Sequence, residues 1–275
     1  MLLGLGAAAV WGAGDFGGGL ATRRTPVYGV VIVSQFTGGL LALGLALATG
    51  GSIPAGRDLL ICAIAGVLGA LGITMLYRGL ALGRMGVVAP ITGVLAAVIP
   101  VIAGFATEGV PRPLVLIGIG LAIVAVILVS RVEDEGGGRD GLREALIGGT
   151  AIGLFGVAIA QLSDGNLFGH LTLIRLSEGV VVAATIVGMR LAWRPPSDLL
   201  PRLMLVGALD MTGNGLYLVA VQIGQLAVAS VLSALYPVST VILATVVLRE
   251  PVTRDHAAGI ALAVLAIALI GLGGG

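Results

Sequence analysis

Long apolar stretches separated by short polar breaks run along the whole chain. A membrane-spanning helix needs about 20 mostly apolar residues, and stretches of this length recur throughout the 275 residues. The breaks contain arginine, proline, glycine or acidic residues, as in "TRRTP" and "REPVTRD". The pattern predicts ten spanning helices, at residues 2–22, 27–49, 57–82, 86–107, 112–131, 143–161, 168–190, 199–221, 226–248 and 255–273.

The composition places these helices in a membrane. The chain is 57% hydrophobic and only 11% charged, and a soluble domain of this length cannot bury so many apolar side chains. The apolar runs are also too long for the strands of a membrane β-barrel. We therefore expect an all-α integral membrane protein. A net charge of +1 gives no nucleic-acid-binding footprint, and the single cysteine, Cys62, excludes an internal disulfide or a thiolate metal cluster.

The second half of the chain repeats the first at a spacing of about 140 residues. The segment "YRGLALGRMGVVAP" at Tyr77 resembles "YLVAVQIGQLAVAS" at Tyr217, and Glu108 lies opposite Glu250. Because each half holds five predicted helices, the second half must enter the membrane in the opposite sense. Inverted repeats are typical of secondary transporters, whose substrate site lies near the midplane between the repeats. The expected units are a first repeat at 1–131, a polar loop at 132–142 and a second repeat at 143–275.

Specific motifs resemble the drug/metabolite transporter superfamily in its EamA-type branch. These are the Trp-Gly of the first span ("VWGAGDF"), the Tyr-Pro of the ninth ("ALYPVSTVILATVVLREPVT"), and the glutamate that ends each fourth repeat helix. The resemblance covers essentially the whole chain. It implies a secondary carrier of the bacterial inner (plasma) membrane, in a family with many exporters of amino acids, metabolites or cationic drugs. Such carriers need no ATP-binding domain, and the sequence has no Walker motif.

Arginine placement bears on orientation and leaves it open. The loops after odd-numbered spans hold or flank 12 of the 15 basic residues, and the loops after even-numbered spans hold two. The positive-inside rule therefore places the odd loops in the cytoplasm and both termini outside. Resemblance to the EamA-type branch implies the reverse orientation. Ten helices already complete one inverted pair, so a monomer is sufficient, and a homodimer is the alternative.

Asp15 is an ionisable group inside the first predicted span. Lipid exposure of such a group costs several kcal/mol, so it marks a candidate functional site. Trp11 lies one helical turn away on the same face, and a carboxylate beside an indole suits an organic cation. Removal from water favours the neutral acid, so Asp15 could carry a coupling proton, and competition between proton and cation would give antiport. The alternative is a structural aspartate, and the surrounding glycines are typical of close helix packing.

The seventh span carries a second pair of charges, Arg175 and Glu178. They are three residues apart and can pair across one helical turn, in which case they neutralise each other. The alternative is that Arg175 binds a substrate carboxylate while Glu178 binds an amine or a coupling proton. Gln35 occupies the position equivalent to Glu178 in the first repeat. We therefore expect Gln35 and Glu178 to face each other across a central cavity.

Span 8 has a polar stripe formed by Asp210, Asn214 and Tyr217, at positions i, i+4 and i+7. Such a stripe cannot face lipid because its groups would lack partners, so it lines a cavity or a helix–helix seam. In span 9, Tyr236 directly precedes Pro237, which is expected to bend the helix.

Other polar residues lie closer to the predicted span ends. Tyr77 and Tyr217 are typical of interface anchors. His170 and His256 are expected to be polar interface residues. Glu108 and Glu250 end their helices, and we expect them to make loop contacts or a gate.

Three intramembrane acids against one arginine favour a positively charged or zwitterionic ligand. We predict a proton-coupled exporter or exchanger of a small cationic or zwitterionic metabolite or drug, working by alternating access without a cofactor or metal. The alternatives are a carrier for an organic anion or a neutral metabolite, or a uniporter. A membrane-embedded lipid-modifying enzyme would need an HExxH helix or a nucleophile with its base, and no histidine is close in sequence to the Ser163–Asp164 loop pair. Asp15 and Glu178 are the predicted proton-coupling residues, and the predicted substrate-binding residues are Trp11, Asp15, Gln35, Arg175, Glu178, Asp210, Asn214 and Tyr236.

Overall fold

The computed structural model describes residues 1–81, 85–129, 141–249 and 253–273, and within these ranges every long element is an α-helix. These described residues form eleven α-helices and one 3-10 turn at Ser197–Leu199. The helices are α1 Leu2–Thr22, α2 Val27–Thr49, α3 Gly56–Ala81, α4 Met85–Glu108, α5 Pro113–Val129, α6 Leu142–Ile159, α7 Leu167–Met189, α8 Leu200–Ile223, α9 Leu226–Ser233, α10 Tyr236–Leu248 and α11 Arg254–Gly273.

These helices confirm the ten predicted spans. Nine spans correspond to single helices whose ends differ from the prediction by at most two residues, and α9 and α10 together form the ninth. The ninth span breaks at Ala234 and Leu235, directly before the Tyr236–Pro237 pair. Pro237 falls in the first turn of α10, where its missing N–H removes no helical hydrogen bond. Helix α4, the counterpart of the ninth span in the first repeat, runs unbroken from Met85 to Glu108.

The helices have the length and surface of a membrane protein. In the described residues, eight segments are long and apolar enough to cross a membrane; α5 is a shorter apolar helix and α1 has 21 residues. Large apolar side chains cover the outside of the bundle, among them Leu40, Leu47 and Val187, with exposed fractions of 65%, 74% and 77%. An apolar exterior of this kind is unfavourable against water and favourable against lipid. The protein is a multi-pass α-helical membrane protein.

Helix packing follows the inverted repeat. Helix α1 packs on α8 and on α9–α10, and its repeat counterpart α6 packs on α3 and α4 in the same way. The α2–α8 contact likewise has the α7–α3 contact as its counterpart. Two further pairs, α2–α7 and α5–α11, join equivalent helices of the two repeats. The fold is therefore two inverted five-helix repeats, and their inner helices surround the centre of the molecule.

The two ends of the bundle differ in the loops that they carry. The odd-loop face carries the connections that follow odd-numbered spans and includes residues 23–26 and 190–199. The even-loop face carries the connections that follow even-numbered spans, at residues 50–55, 109–112, 160–166 and 224–225.

Candidate functional site

A cavity lies between the two repeats, and its outline encloses about 790 Å³ when the part that is open to solvent is included. Its walls come from α1, α2, α3, α4, α6, α7, α8 and the broken ninth span, so both repeats contribute. The structure places every predicted substrate-binding residue on these walls: Trp11, Asp15, Gln35, Arg175, Glu178, Asp210, Asn214 and Tyr236.

Arg175 is the hub of the polar contacts on this wall. Its Nη1 atom donates to Gln35 Oε1 at 2.6 Å and to Glu178 Oε2 at 2.8 Å. The same atom lies 2.7 Å from Asp210 Oδ2. Arginine, glutamate and glutamine are each at most 2% exposed, so these contacts are made away from bulk water. Helices α2, α7 and α8 are thereby joined through one guanidinium group.

This arrangement confirms one expectation and changes two others. The Arg175–Glu178 pair across one turn is present. Asp210 also pairs with Arg175, whereas the sequence indicated only the pairing of Arg175 with Glu178. Gln35 and Glu178 do not simply face each other across the cavity, because both accept from the same nitrogen of Arg175.

Negative charge exceeds positive charge on the cavity wall. The lining includes three carboxyl groups, those of Asp15, Glu178 and Asp210, and the guanidinium of Arg175. If all three acids were ionised, two negative charges would lack compensation by a basic residue of the lining. Buried uncompensated charge is costly, so the excess of carboxyl groups is the main electrostatic feature of this wall. The Nε and Nη2 atoms of Arg175 have no hydrogen-bond partner among the described residues.

Aromatic and amide groups form another part of the cavity wall. The indole Nε1 of Trp11 donates to Asn214 Oδ1 at 3.1 Å. The Trp11 and Tyr217 ring centroids are 5.7 Å apart and tilted by 40°, and the Tyr217 hydroxyl bonds to Ser230 Oγ at 2.7 Å. Asp210, Asn214 and Tyr217 all line the cavity, which is one of the two placements the stripe allowed.

Tyr77 and Tyr217 lie inside the helix bundle rather than at the membrane interface. The expectation that Tyr77 and Tyr217 are interface anchors is wrong, because they are only 4% and 3% exposed. The repeat itself held the signal, since the two tyrosines occupy equivalent positions in helices that pack toward the centre.

Several of the functional side chains rest on glycines of neighbouring helices. A Cβ atom at Gly213 would lie 2.5 Å from the Trp11 indole, and one at Gly156 would lie 2.9 Å from the Tyr217 hydroxyl. At Gly69 an added Cβ would collide with the Glu178 carboxylate. Around Asp15, Gly12 contacts the backbone of span 9 and serves close helix packing. The glycines therefore serve two purposes, and one of them is to admit large polar side chains into the cavity wall.

We expect Gly213→Ala to displace the Trp11 indole and break its bond to Asn214. Overpacking of this kind costs about 1–3 kcal/mol. In a Trp193→Phe background Trp11 is the remaining tryptophan, so its fluorescence emission reports the displacement directly. Gly19→Ala is the matched control, because a Cβ there meets no atom within 4 Å. Identical emission spectra for the two variants would contradict this role of Gly213.

A second polar cluster joins the repeats at the even-loop face. The Asp58 carboxylate accepts from the Ser163 hydroxyl and lies 3.2 Å from His170 Nε2. His170 is fully buried, so the expectation that it is an interface residue is wrong. The carboxylate sits between serine and histidine, which is not the direct serine–histidine contact that an activated nucleophile needs. Sequence separations of 105 and 112 residues hid this cluster.

Further bonds close the same end of the bundle. Arg57 Nη2 donates to Gln161 Oε1 at 3.3 Å, and Asn166 Nδ2 donates to the Ser52 carbonyl at 2.9 Å. The Glu108 carboxylate accepts from the Leu226 backbone N–H at 2.9 Å, so it caps α9 and makes the expected loop contact. These bonds all cross from the first repeat to the second.

The remaining residues near the span ends lie at the opposite end of the bundle, the odd-loop face. At the odd-loop face, Arg24 pairs with Asp198 at 2.9 Å between exposed side chains. His256 lies in the first turn of α11 and is half-buried. Glu250, the other predicted helix-ending glutamate, lies outside the described residues.

The fold matches a solved structure, and the sequence matches a family model. A solved crystal structure superposes with a TM-score of 0.83, covering 98% of this chain and 96% of that chain at 17% sequence identity. At this identity the similarity shows the fold alone. No curated protein matches the sequence. The sequence model of the EamA-like transporter family matches residues 1–131 and again residues 142–272, so the chain belongs to the EamA-like transporter family.

Proposed function

We propose that this membrane transporter of the drug/metabolite type is a proton-coupled exporter or exchanger of a small cation or zwitterion in the bacterial inner membrane. The single observation that carries the proposal is the charge imbalance of the cavity wall, where three carboxyl groups accompany one guanidinium. The substrate, the coupling ion and the alternating-access mechanism are parts of this proposal. Family membership supports the coarser statement that the protein is a transporter.

The charge imbalance explains how one site could serve two ligands. Arg175 is shared between Glu178 and Asp210, so the guanidinium offsets about one of the two negative charges. Asp15 lies on the same cavity outside this hydrogen-bonded group. A proton on a carboxyl group neutralises it, and a cation beside an ionised carboxylate does the same. The two ligands therefore compete, and that competition couples proton movement to export.

Aromatic groups beside Asp15 supply the surface for an organic cation. Trp11 is one helical turn from Asp15 and lines the same cavity, next to Tyr217. The face of an indole attracts a cation, and the attraction is stronger where water is excluded. The cavity thus offers an ion pair and a π-face to one ligand.

The bonds between the repeats support the alternating-access part of the proposal. Four of them lie at the even-loop face, and they would have to break for the cavity to open there. The break in span 9 supports such a movement. Ser233, Ala234 and Tyr236 flank it and line the cavity, so a change of angle between α9 and α10 would alter the cavity wall directly.

One observation favours the alternative of an anionic ligand. Arg175 Nε and Nη2 have no partner among the described residues, and a carboxylate is the usual partner of such a donor pair. Both atoms are buried beneath the cavity surface, so an anion would reach them only after Arg175 moves. A zwitterion would offer a carboxylate to Arg175 and an amine to the carboxyl groups of the wall, whereas a pure anion would add a third excess negative charge.

Three probes that share one phenyl ring and differ in charge test the proposed substrate class. They are benzyltrimethylammonium (a cation), phenylalanine (a zwitterion) and phenylpropionate (an anion). Thermal unfolding in detergent and Trp11 fluorescence in the Trp193→Phe background are measured with each. We expect stabilisation by the cation or the zwitterion, of about 2.7 kcal/mol at a probe concentration of 100 times Kd. Binding of phenylpropionate alone would overturn the charge argument.

A further inference from the structure

A second, smaller cavity lies directly behind Asp15. Four residues, Trp11, Asp15, Ile73 and Asp210, line both cavities. Asp15 and Asp210 therefore form part of the wall that separates the two spaces. The remaining lining of the smaller cavity consists of Gly14, Ser34, Tyr77 and Val206.

The smaller cavity has room for about one water molecule. A buried water needs two to four polar partners, and four polar side chains lie around this space, two carboxylates and two hydroxyls. Tyr77, which lines this space, belongs to a buried apolar cluster with Val30, Leu199 and Leu203, each of which is at most 1% exposed.

Tyr77 reaches this space from α3. Its side chain is 4% exposed, and it lines the smaller cavity together with Asp15. The hydroxyl also rests on α1 at Gly18, where an added Cβ would lie 2.5 Å from it. Gly18 follows Asp15 by three residues, so both are on the same face of the helix. The absence of a side chain at Gly18 thus brings the phenol against the carboxylate.

We propose that Tyr77 is a positioning residue that holds the Asp15 carboxylate against one water molecule shared with Asp210. This inference rests on the proposed proton coupling. It assigns a role to Tyr77, which lines the smaller cavity and not the larger one. A proton leaves the shared water, an O–H bond forms on one carboxylate, and the water regains a proton from the other carboxyl group. No electron is transferred, and the pair holds one proton in total.

This arrangement links Asp15 to the Arg175 group. Asp210 touches the smaller cavity and also pairs with Arg175 at 2.7 Å. A proton that moves from Asp210 to Asp15 leaves Asp210 ionised and strengthens its pairing with Arg175. The charged and titratable groups that face Asp15 on the two cavities are Tyr77 from α3, Arg175 and Glu178 from α7, Asp210 and Tyr217 from α8, and Tyr236 from α10.

The test is the pH dependence of proton-driven uptake of benzyltrimethylammonium or phenylalanine into liposomes. Tyr77→Phe removes the donor to the ionised carboxylate, which favours the protonated acid. We expect the half-maximal rate to move to higher pH by about one unit, a tenfold change in proton concentration. Gly18→Ala should move it in the same direction, because it displaces the hydroxyl while keeping the phenol.

Two controls make the outcomes distinct. Tyr28→Phe removes a hydroxyl that lines neither cavity, and Gly19→Ala adds a methyl group where no atom lies within 4 Å. If Asp15→Asn abolishes coupling while Tyr77→Phe and Gly18→Ala keep the wild-type profile, the role of Tyr77 is refuted and the proposed function stands. If Asp15→Asn also couples normally, the proposed function itself fails.

Discussion

Arg175→Met is expected to destabilise the protein by about 3–5 kcal/mol, the cost of breaking a buried ion pair from one side. The substitution keeps an unbranched side chain of similar length and leaves the two carboxylates and Gln35 without their shared donor. Thermal or chemical unfolding in detergent measures the loss. Arg175→Lys keeps the charge but cannot present a planar set of donors, so we expect an intermediate loss.

A triple variant separates charge from packing. Arg175→Met combined with Glu178→Gln and Asp210→Asn removes the guanidinium and both carboxylates, and replacement of a whole buried ion group is often neutral. We expect it to be more stable than Arg175→Met alone, which is a coupling that only a direct interaction produces. Equal stability of the single and triple variants would show that the ion group does not hold these helices together.

Asp15→Asn is expected to abolish proton-driven accumulation while the protein remains folded. Asparagine matches aspartate in shape but neither binds a proton nor carries a charge at neutral pH. The substitution also removes one acid from a wall that has more carboxyl groups than basic groups, so stability in detergent should be retained or improved. Loss of transport then reflects lost chemistry rather than lost folding.

Asp198→Asn is the matched control for this substitution. Asp198 lies at the odd-loop face and pairs with Arg24, but both side chains are more than half exposed. Exposed ion pairs contribute about 0–1 kcal/mol. The control should therefore transport like the wild type.

Much of the architecture could be predicted because lipid imposes strict rules on sequence. Apolar length set the helix bounds, and the odd number of helices per half implied inversion. The site could be predicted for the same reason, since Asp15, Arg175, Glu178 and Asp210 have no favourable place against lipid. All four line one cavity.

What could not be predicted depends on contacts distant in sequence. Arg175 and Asp210 pair although they are 35 residues apart in sequence and lie on different helices. Sequence spacing indicated only the pairing of Arg175 with Glu178 within one helical turn. The burial of His170 against Asp58 needs the two repeats to meet at the even-loop face. The glycine contacts of Trp11 and Tyr77 depend on which helix faces which, and a glycine in a sequence does not name its neighbour.

Proton-coupled exchange through Asp15 is tested most directly by uptake into liposomes that are acidic inside. The labelled substrate is benzyltrimethylammonium or phenylalanine, whichever binds. Benzyltrimethylammonium carries a permanent charge and phenylalanine is a zwitterion near neutral pH, so passive trapping as a weak base does not mimic antiport. We predict accumulation by the wild type and by Asp198→Asn that collapses when the pH gradient is removed, and background uptake by folded Asp15→Asn. Accumulation by Asp15→Asn at the wild-type rate, with the wild-type dependence on the gradient, would contradict the account.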